Sequence, residues 1–540
     1  MKKLPILICA VLTAAALTSC GDDDKRGSGT GHMYNVPLLG NPESLDPQFA
    51  DDPSSNTVIK NLYSGLMMTD ADGNTVCCNA ESYEISPDGT VYTFKLRHDN
   101  YWFFDKNEND MIDEDEYFPV TSSDYVFALQ RVLDPDMHSP YAEDFRCIKN
   151  AEVISMGLEE PDVAEIYAPD FYTLMVVLEE PCSDFLRLMS TAPSYPCNKT
   201  FFDSTKGRYG LDDKSVMSNG AFFVRQWFYD PYGNNNILYM RRNDANWAES
   251  YDIAPSLLSF TIERSEEDIR KLFKNEEIEC FTTYSSAAYN PKKYIVEPYM
   301  AVTLGLIFNQ EDRYFSNENL RKALACSLSR DGAENGDTLI ANGIIPPALR
   351  VLGRSYRDLS ADSQFSRFNT EAALDYFAKA KEEIGAESFE SVKIMVNAGT
   401  FDSARLHTVT QYWQELFGTY IGIEDVSDEE FQQRLDSGDY IIALYPLKAD
   451  QESTEAVFRE FVSTDCLKSA LPEDFQLPSP AEMSTLVEDC TAAEKAIIDH
   501  CGFIPLYYKN IYLIADSSNE GISYDPFTSA TDFRLALNYD

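Results

Sequence analysis

Pro119-Val120-Thr121-Ser122-Ser123-Asp124-Tyr125-Val126-Phe127-Ala128-Leu129 is the stretch that decides the fold class. Thr121 to Asp124 has the spacing of a capping box, in which a hydroxyl and a carboxylate satisfy orphan N–H groups at a helix start. The helix it opens carries Tyr125, Ala128, Leu129 and Val132 along one stripe. Upstream, Thr90 to Arg97 alternates, with Tyr92, Phe94 and Leu96 on one face and Thr93, Lys95 and Arg97 on the other. That period of two predicts a half-buried strand. Leu320, Ala323, Leu324, Ser327 and Leu328 form a second helical stripe, and no segment repeats at a fixed period. Strands and helices mixed without strict alternation predict α/β and α+β lobes.

The 540 residues suggest about three or four domains of ordinary size, or one multi-lobed unit. With 44% hydrophobic and 25% charged residues, wholesale disorder is excluded. Lys and Arg total 44 against 89 Asp and Glu, a formal charge of −45. Such a surface repels phosphate backbones and anionic headgroups, so nucleic acid is excluded as a partner and any membrane attachment needs an anchor. The 32 Tyr suit large half-wet surfaces such as a ligand cleft.

Residues 1 to 20 read as an export signal. Lys2 and Lys3 form its positive end and Leu4 to Leu17 its apolar stretch, shorter than the roughly 20 residues of a bilayer span. It ends in Leu17-Thr18-Ser19-Cys20, which resembles the bacterial lipobox and marks Cys20 for lipidation. Several acyl chains anchor stably, since each buried CH2 contributes about 0.8 kcal/mol. Residues 21 to 33 then form a flexible linker, rich in Gly, Ser and Asp. Once Lys2 and Lys3 leave, the charge becomes −47. Ten cysteines remain besides Cys9 and Cys20, an even number in an exported chain, so disulfides are allowed. Cys182 with Cys197 is the nearby pair to test first.

Several blocks, in order, resemble one family, the extracytoplasmic solute-binding proteins of oligopeptide and dipeptide ABC importers. They are Asn41 to Pro47, Asn61 to Leu66, Ser86 to Phe94, Pro119 to Pro135, Gly220-Ala221-Phe222, Arg242 to Trp247, Phe308-Asn309, Leu320 to Arg330 and Ile504 to Tyr508. The resemblance implies an α/β fold, a two-lobed periplasmic-binding-protein-like clamp of type II with an extra inserted subdomain. Lobe I would comprise 34–64, 190–301 and 505–540, the inserted subdomain 65–189, and lobe II 302–504. Two crossing strands near Met300-Ala301 and Phe503-Ile504 would form the hinge, and closure around a ligand would be recognised by the permease. The implied protein is a monomer held by its lipid anchor at the extracytoplasmic face of the membrane, in the periplasm or at the cell surface. Its implied partners are a peptide and an ABC permease and ATPase complex. The same clamp binding another solute, such as a metal complex, an oligosaccharide or a signalling peptide, stays open as the alternative.

In that family the peptide lies extended between the lobes, paired through its main chain like an added strand. The resemblance puts the carboxylate for the peptide ammonium at Asp450, within Lys448-Ala449-Asp450, and a main-chain contact from the first lobe at Asp51 and Asp52. The stretch departs from the usual pattern: no Trp precedes Asp450, Pro446 removes a backbone donor, and Lys448 is placed to neutralise Asp450.

Asp105 to Glu116 matches the EF-hand loop at positions 1, 3, 5, 9 and 12 and has Ile at position 8. Side-chain oxygens of Asp105, Asn107, Asn109, Asp113 and Glu116, with the Met111 carbonyl, would hold one structural Ca2+. Asp110 stands where the motif has Gly, a place Asp tolerates. No other cofactor is called for. The five His are scattered without metal-ligand spacing, and G-x-S-x-G, Walker A and G-x-G-x-x-G are missing from the sequence. The sequence therefore reads as a binding protein and not an enzyme.

Overall fold

The computed structural model describes residues 31–70, 74–109, 113–182, 184–230, 232, 236–244, 253–263, 265–328, 336–351, 354–360, 368–386, 392–478 and 483–539. Cys20, Met111, Trp247, Ser329 and Arg330 lie outside these residues.

The first lobe is built on a four-stranded sheet. Met33–Leu39 pairs in parallel with Leu257–Glu263, followed antiparallel by Ile237–Arg242 and Phe222–Phe228. Tyr34, Val36 and Leu38 alternate inward and are buried. The helix Pro53–Leu62 follows, started by Asp52, whose carboxylate accepts the Ser55 N–H at 2.9 Å, with Pro53 in the first turn where its missing donor costs nothing.

The inserted subdomain has its own antiparallel sheet, in the order Ala80–Ile85, Val91–Leu96, Thr173–Val177, Ile166–Asp170. The alternating stretch is a strand as expected, with Tyr92, Phe94 and Leu96 buried. The helix Ser122–Leu133 starts at the expected capping box, where Asp124 Oδ2 accepts the Thr121 N–H at 2.8 Å. Tyr125, Ala128, Leu129 and Val132 are all fully buried under it. At the other end of this helix Arg131 reaches into the first lobe. It donates to Gln48 Oε1 at 2.7 Å and pairs with the buried carboxylate of Asp46. Such a pair is costly to break from one side, because the remaining charge stays out of water.

The second lobe holds three parallel strands, Gly422–Val426, Lys393–Asn397 and Ile442–Leu447, flanked by helices that include Glu318–Cys326 and Met483–His500. Leu320, Ala323, Leu324, Ser327 and Leu328 are buried, the stripe expected there. Glu494 sits at the centre, fully buried, accepting the N–H groups of Ile344 and Ile345 at 2.7 Å each and pairing with Arg357.

Two strands tie the lobes together. Tyr294–Phe308 and Phe503–Asp516 are 15 and 14 residues long, against the usual five or six, roughly. They pair antiparallel, one end flanked by Cys280–Thr283 of the first lobe and the other by Ile442–Leu447 of the second. The ladder is interrupted between Tyr299 and Val302, so Met300 and Ala301 bulge opposite Asn510. Phe503 and Ile504 pair with Ile307 and Leu306, well inside the second lobe, because antiparallel register couples early residues of one strand to late residues of the other.

The ten described cysteines are free thiols. The expected partnership of Cys182 with Cys197 is not what the fold assembles. Cys197 packs under Arg131, 3.4 Å from Nη1, whereas the Cys182 side chain meets that of Cys147. The reason is pairing between distant segments: a bridge joins Ile148 to Leu178, and Glu179 N–H donates to the Cys147 carbonyl at 2.9 Å.

Candidate binding site

A cavity of about 1060 Å³ opens between the lobes. Its walls come from the end of the helix Pro53–Leu62, the Met67–Thr69 hairpin of the inserted subdomain, the crossing strand at Glu297 to Met300, second-lobe residues between Pro347 and Asp358 together with Glu452, and the C-terminal segment from Gly521 to Leu535. The volume stands at the upper end of the roughly 300–1,000 Å³ usual for small-molecule sites. Two of the lining hairpins, Ser523–Asp525 with Ala530–Asp532 and Arg350–Val351 with Arg354–Ser355, are only two strands wide. Each keeps an edge of backbone donors and acceptors able to take another strand.

Charges of both signs line this space. Asp532 and Arg534 form a bidentate pair, with Nε at 3.0 Å from both carboxylate oxygens and Nη2 at 2.5 Å from Oδ2. Burial opposes the Asp532 charge, but Arg534 and Lys60 outweigh it and hold the carboxyl below its ordinary value. Asp525 is spent on its own turn, accepting the Phe527 N–H at 2.9 Å and the Thr528 hydroxyl at 2.8 Å. Glu452 differs. Burial, and then Asp525, push its carboxyl up to about 7 against the opposing pull of Arg187 and Arg350. Arg187 is itself engaged by Asp184 at 2.6 Å.

The five residues the sequence singled out for ligand are not among the residues that line this cavity. Asp52 caps the first helix. Asp51 and Asp450 are exposed, and Ala449 is buried. Lys448 donates to Ser529 Oγ at 2.8 Å across the lobes; burial lowers its pKa, with Asp525 and Asp450 pulling the other way. The structure does bring the first-lobe and second-lobe acids together. Burial raises the Tyr141 phenol, and Asp51, Asp450, Asp144 and Asp52 all add to the effect. Asp144 is the contact that joins the lobes here, at 2.9 Å from Arg459 Nη2 and hydrogen-bonded by the Gln451 amide. Sequence reading missed Lys60, Glu452, Asp525, Asp532 and Arg534. Glu452 stands two residues past Asp450, the nearest thing to a signal, while the others have no motif.

In the acidic loop, Asn107 and Asn109 donate to Asp113 Oδ2 at 2.7 and 3.0 Å. The buried Glu116 turns the other way, its Oε1 accepting the N–H groups of Lys106 and Asn107 at 2.9 and 3.1 Å. Arg225 lies 3.9 Å from Asp105. The loop is thus closed by its own backbone donors, and no group of three or more His, Cys, Asp or Glu poised for a metal occurs among the described residues. No helix among the described residues is long and apolar enough to cross a membrane.

Known proteins share this architecture. The chain is 24% identical over 463 residues to the oligopeptide-binding protein OppA of Bacillus subtilis, covering 82% of this chain and 81% of that protein. It is 22% identical to the periplasmic oligopeptide-binding protein OppA of Escherichia coli, covering 86% and 85%. Among solved structures, OppA of Listeria monocytogenes bound to peptide superposes with a TM-score of 0.70 at 22% identity, over 94% of this chain and 99% of that one. The pheromone receptor PrgZ, described with its mode of peptide binding, gives 0.70 at 23% identity over the same shares. The fold is therefore the two-lobed type II clamp with an inserted subdomain. The model of the bacterial extracellular solute-binding proteins, family 5 Middle, matches residues 77–468. That span is well over half of the chain, which accordingly belongs to the bacterial extracellular solute-binding proteins of family 5.

Proposed function

We propose that this protein captures extended peptides between its lobes and delivers them, chemically unchanged, to an ATP-driven permease in the membrane. The observation that carries the reading is the cavity of about 1060 Å³, bounded by both lobes, which two long paired strands connect. A guest that touches both walls favours the closed arrangement by the difference between its contacts in the two states, which is what hinge closure requires. The narrow hairpins supply main-chain partners for a strand-like guest of any sequence. The relatives named for oligopeptide binding and the solved peptide complexes support peptide as the guest class.

The guest's ammonium is received by the acidic segment Asp450 to Glu452, with Asp450 exposed and Glu452 on the cavity wall, and Asp51 and Asp52 face it from the first lobe. Lipidation at Cys20 tethers the monomer to the outer face of the membrane, and calcium orders the loop from Asp105 to Glu116. Mass spectrometry of whatever leaves gently purified protein on mild denaturation tests the main claim. Peptides are expected, and so is a thermal shift with a short-peptide library; an oligosaccharide or metal complex in their place, or turnover of any guest, would overturn it. Loss of membrane association in Cys20→Ala tests the anchor.

A further inference from the structure

Lys60 stands in the last turn of the helix Pro53–Leu62 and lines the cavity. Among the described residues, no carboxylate comes within ion-pair reach of its ammonium and no hydrogen bond engages it. The two acids whose charges it feels are occupied elsewhere. Asp532 accepts three bonds from the Arg534 guanidinium and one from the Arg534 N–H at 2.9 Å. Asp525 serves Phe527 and Thr528. Ser64, four residues on, also lines the cavity, and its hydroxyl makes no hydrogen bond among the described residues.

Lys60 is half-buried, and an ammonium partly withdrawn from water with no counter-charge in contact gains from an anionic partner. Here the charge is retained. Tyr195 foremost raises the Lys60 pKa, burial opposes it, and Asp532 and Asp525 add support. The helix C-terminal end also favours a cation at this position. In a chain with twice as many acids as bases, a cavity cation without a contacting acid is suited to an anion brought from outside.

We propose that Lys60, with Ser64 of the same cavity wall, is the subsite that receives a carboxylate of the bound guest. The inference rests on the peptide reading above and adds to it a required anionic group, supplied by the chain end or by an acidic side chain. Lys60 gives the charge and the Ser64 hydroxyl a second donor, the combination suited to a carboxylate with two acceptor oxygens.

Three short-peptide libraries of the same composition test it: one with free carboxyl termini, one amidated, and one amidated but carrying a single Asp. Retention by equilibrium dialysis and mass spectrometry is compared for the wild type, Lys60→Met and Lys60→Arg, with thermal melts to confirm that each variant folds. The wild type is expected to retain the first or third library about tenfold or more over the second. Lys60→Met should lose that discrimination while still retaining peptide, and Lys60→Arg should restore it. Retention of the first library alone assigns the chain-end carboxylate; retention of the third, with Asp, assigns a side chain. Equal retention of all three by the wild type, or discrimination that survives Lys60→Met, overturns the subsite while leaving peptide binding intact. Failure of the wild type to retain any library overturns the peptide reading and this inference with it.

Discussion

Glu452 holds its charge poorly, because burial and the neighbouring Asp525 both oppose ionisation and push its carboxyl from 4.5 up to about 7. Between those two values the folded protein keeps a proton that the unfolded chain has lost. The native state therefore binds more protons, and stability falls as pH rises through this window. Glu452→Gln should flatten that part of the dependence of melting temperature on pH, measured from pH 5 to 8; an unchanged slope would show that Glu452 ionises freely. The same substitution separates the two acids of the proposed ammonium site. Glu452→Gln and Asp450→Asn are each expected to weaken a free-amine peptide more than its N-acetylated form, by about tenfold for a charge pair shielded from water. Isothermal titration decides it, and equal losses for the two peptides would remove the residue concerned from the site.

At the scale of elements, the crossing strands demand close fit. Gly305 lies where its strand meets the fully buried ring of Phe503, and an added Cβ would run into that ring. Gly305→Ala should cost about 1–3 kcal/mol through overpacking, read as a lowered urea midpoint at unchanged slope; a cost near zero would mean that the ring moves aside freely. The acidic loop makes a different demand. For Glu116 to meet calcium it must release the N–H groups of Lys106 and Asn107, so binding would rearrange the loop and also compete with Arg225 at Asp105. Calcium added to chelator-stripped protein is expected to raise its melting temperature, and Glu116→Gln to abolish the rise. No heat of binding and no shift in the wild type would dispose of the ion altogether.

Over the whole molecule, the lobes meet beside the cavity through Asp144 of the inserted subdomain with Arg459 and Gln451 of the second lobe, and through Lys448 with Ser529. These contacts favour closure only modestly, since Arg459 is about a third exposed and water screens such pairs. Asp144→Ala should therefore tip the guest-free protein toward an open form, seen as a larger radius of gyration in solution scattering, while the guest-loaded form scatters like the wild type. Identical guest-free curves for variant and wild type would assign the hold between the lobes to the crossing strands alone.

What the sequence determined by itself lies within a few residues of chain. The alternation from Thr90 to Arg97, the cap at Thr121 to Asp124 and the stripe at Leu320 to Leu328 are local patterns, and the structure has the strand and the helices they imply. The ordered blocks were enough to recognise the family, and with it the clamp. Which side chains line the cavity was decided only by tertiary structure. Lys60 feels the charge of Asp532 from the far end of the chain, Glu452 lines the cavity while Asp450 does not, and Cys182 meets Cys147 in place of the nearer Cys197. The physical reason is range: periodicity and capping act within one or two turns, whereas the electrostatics of a cavity are set by walls from segments hundreds of residues apart, brought together by two crossing strands whose register no local pattern encodes.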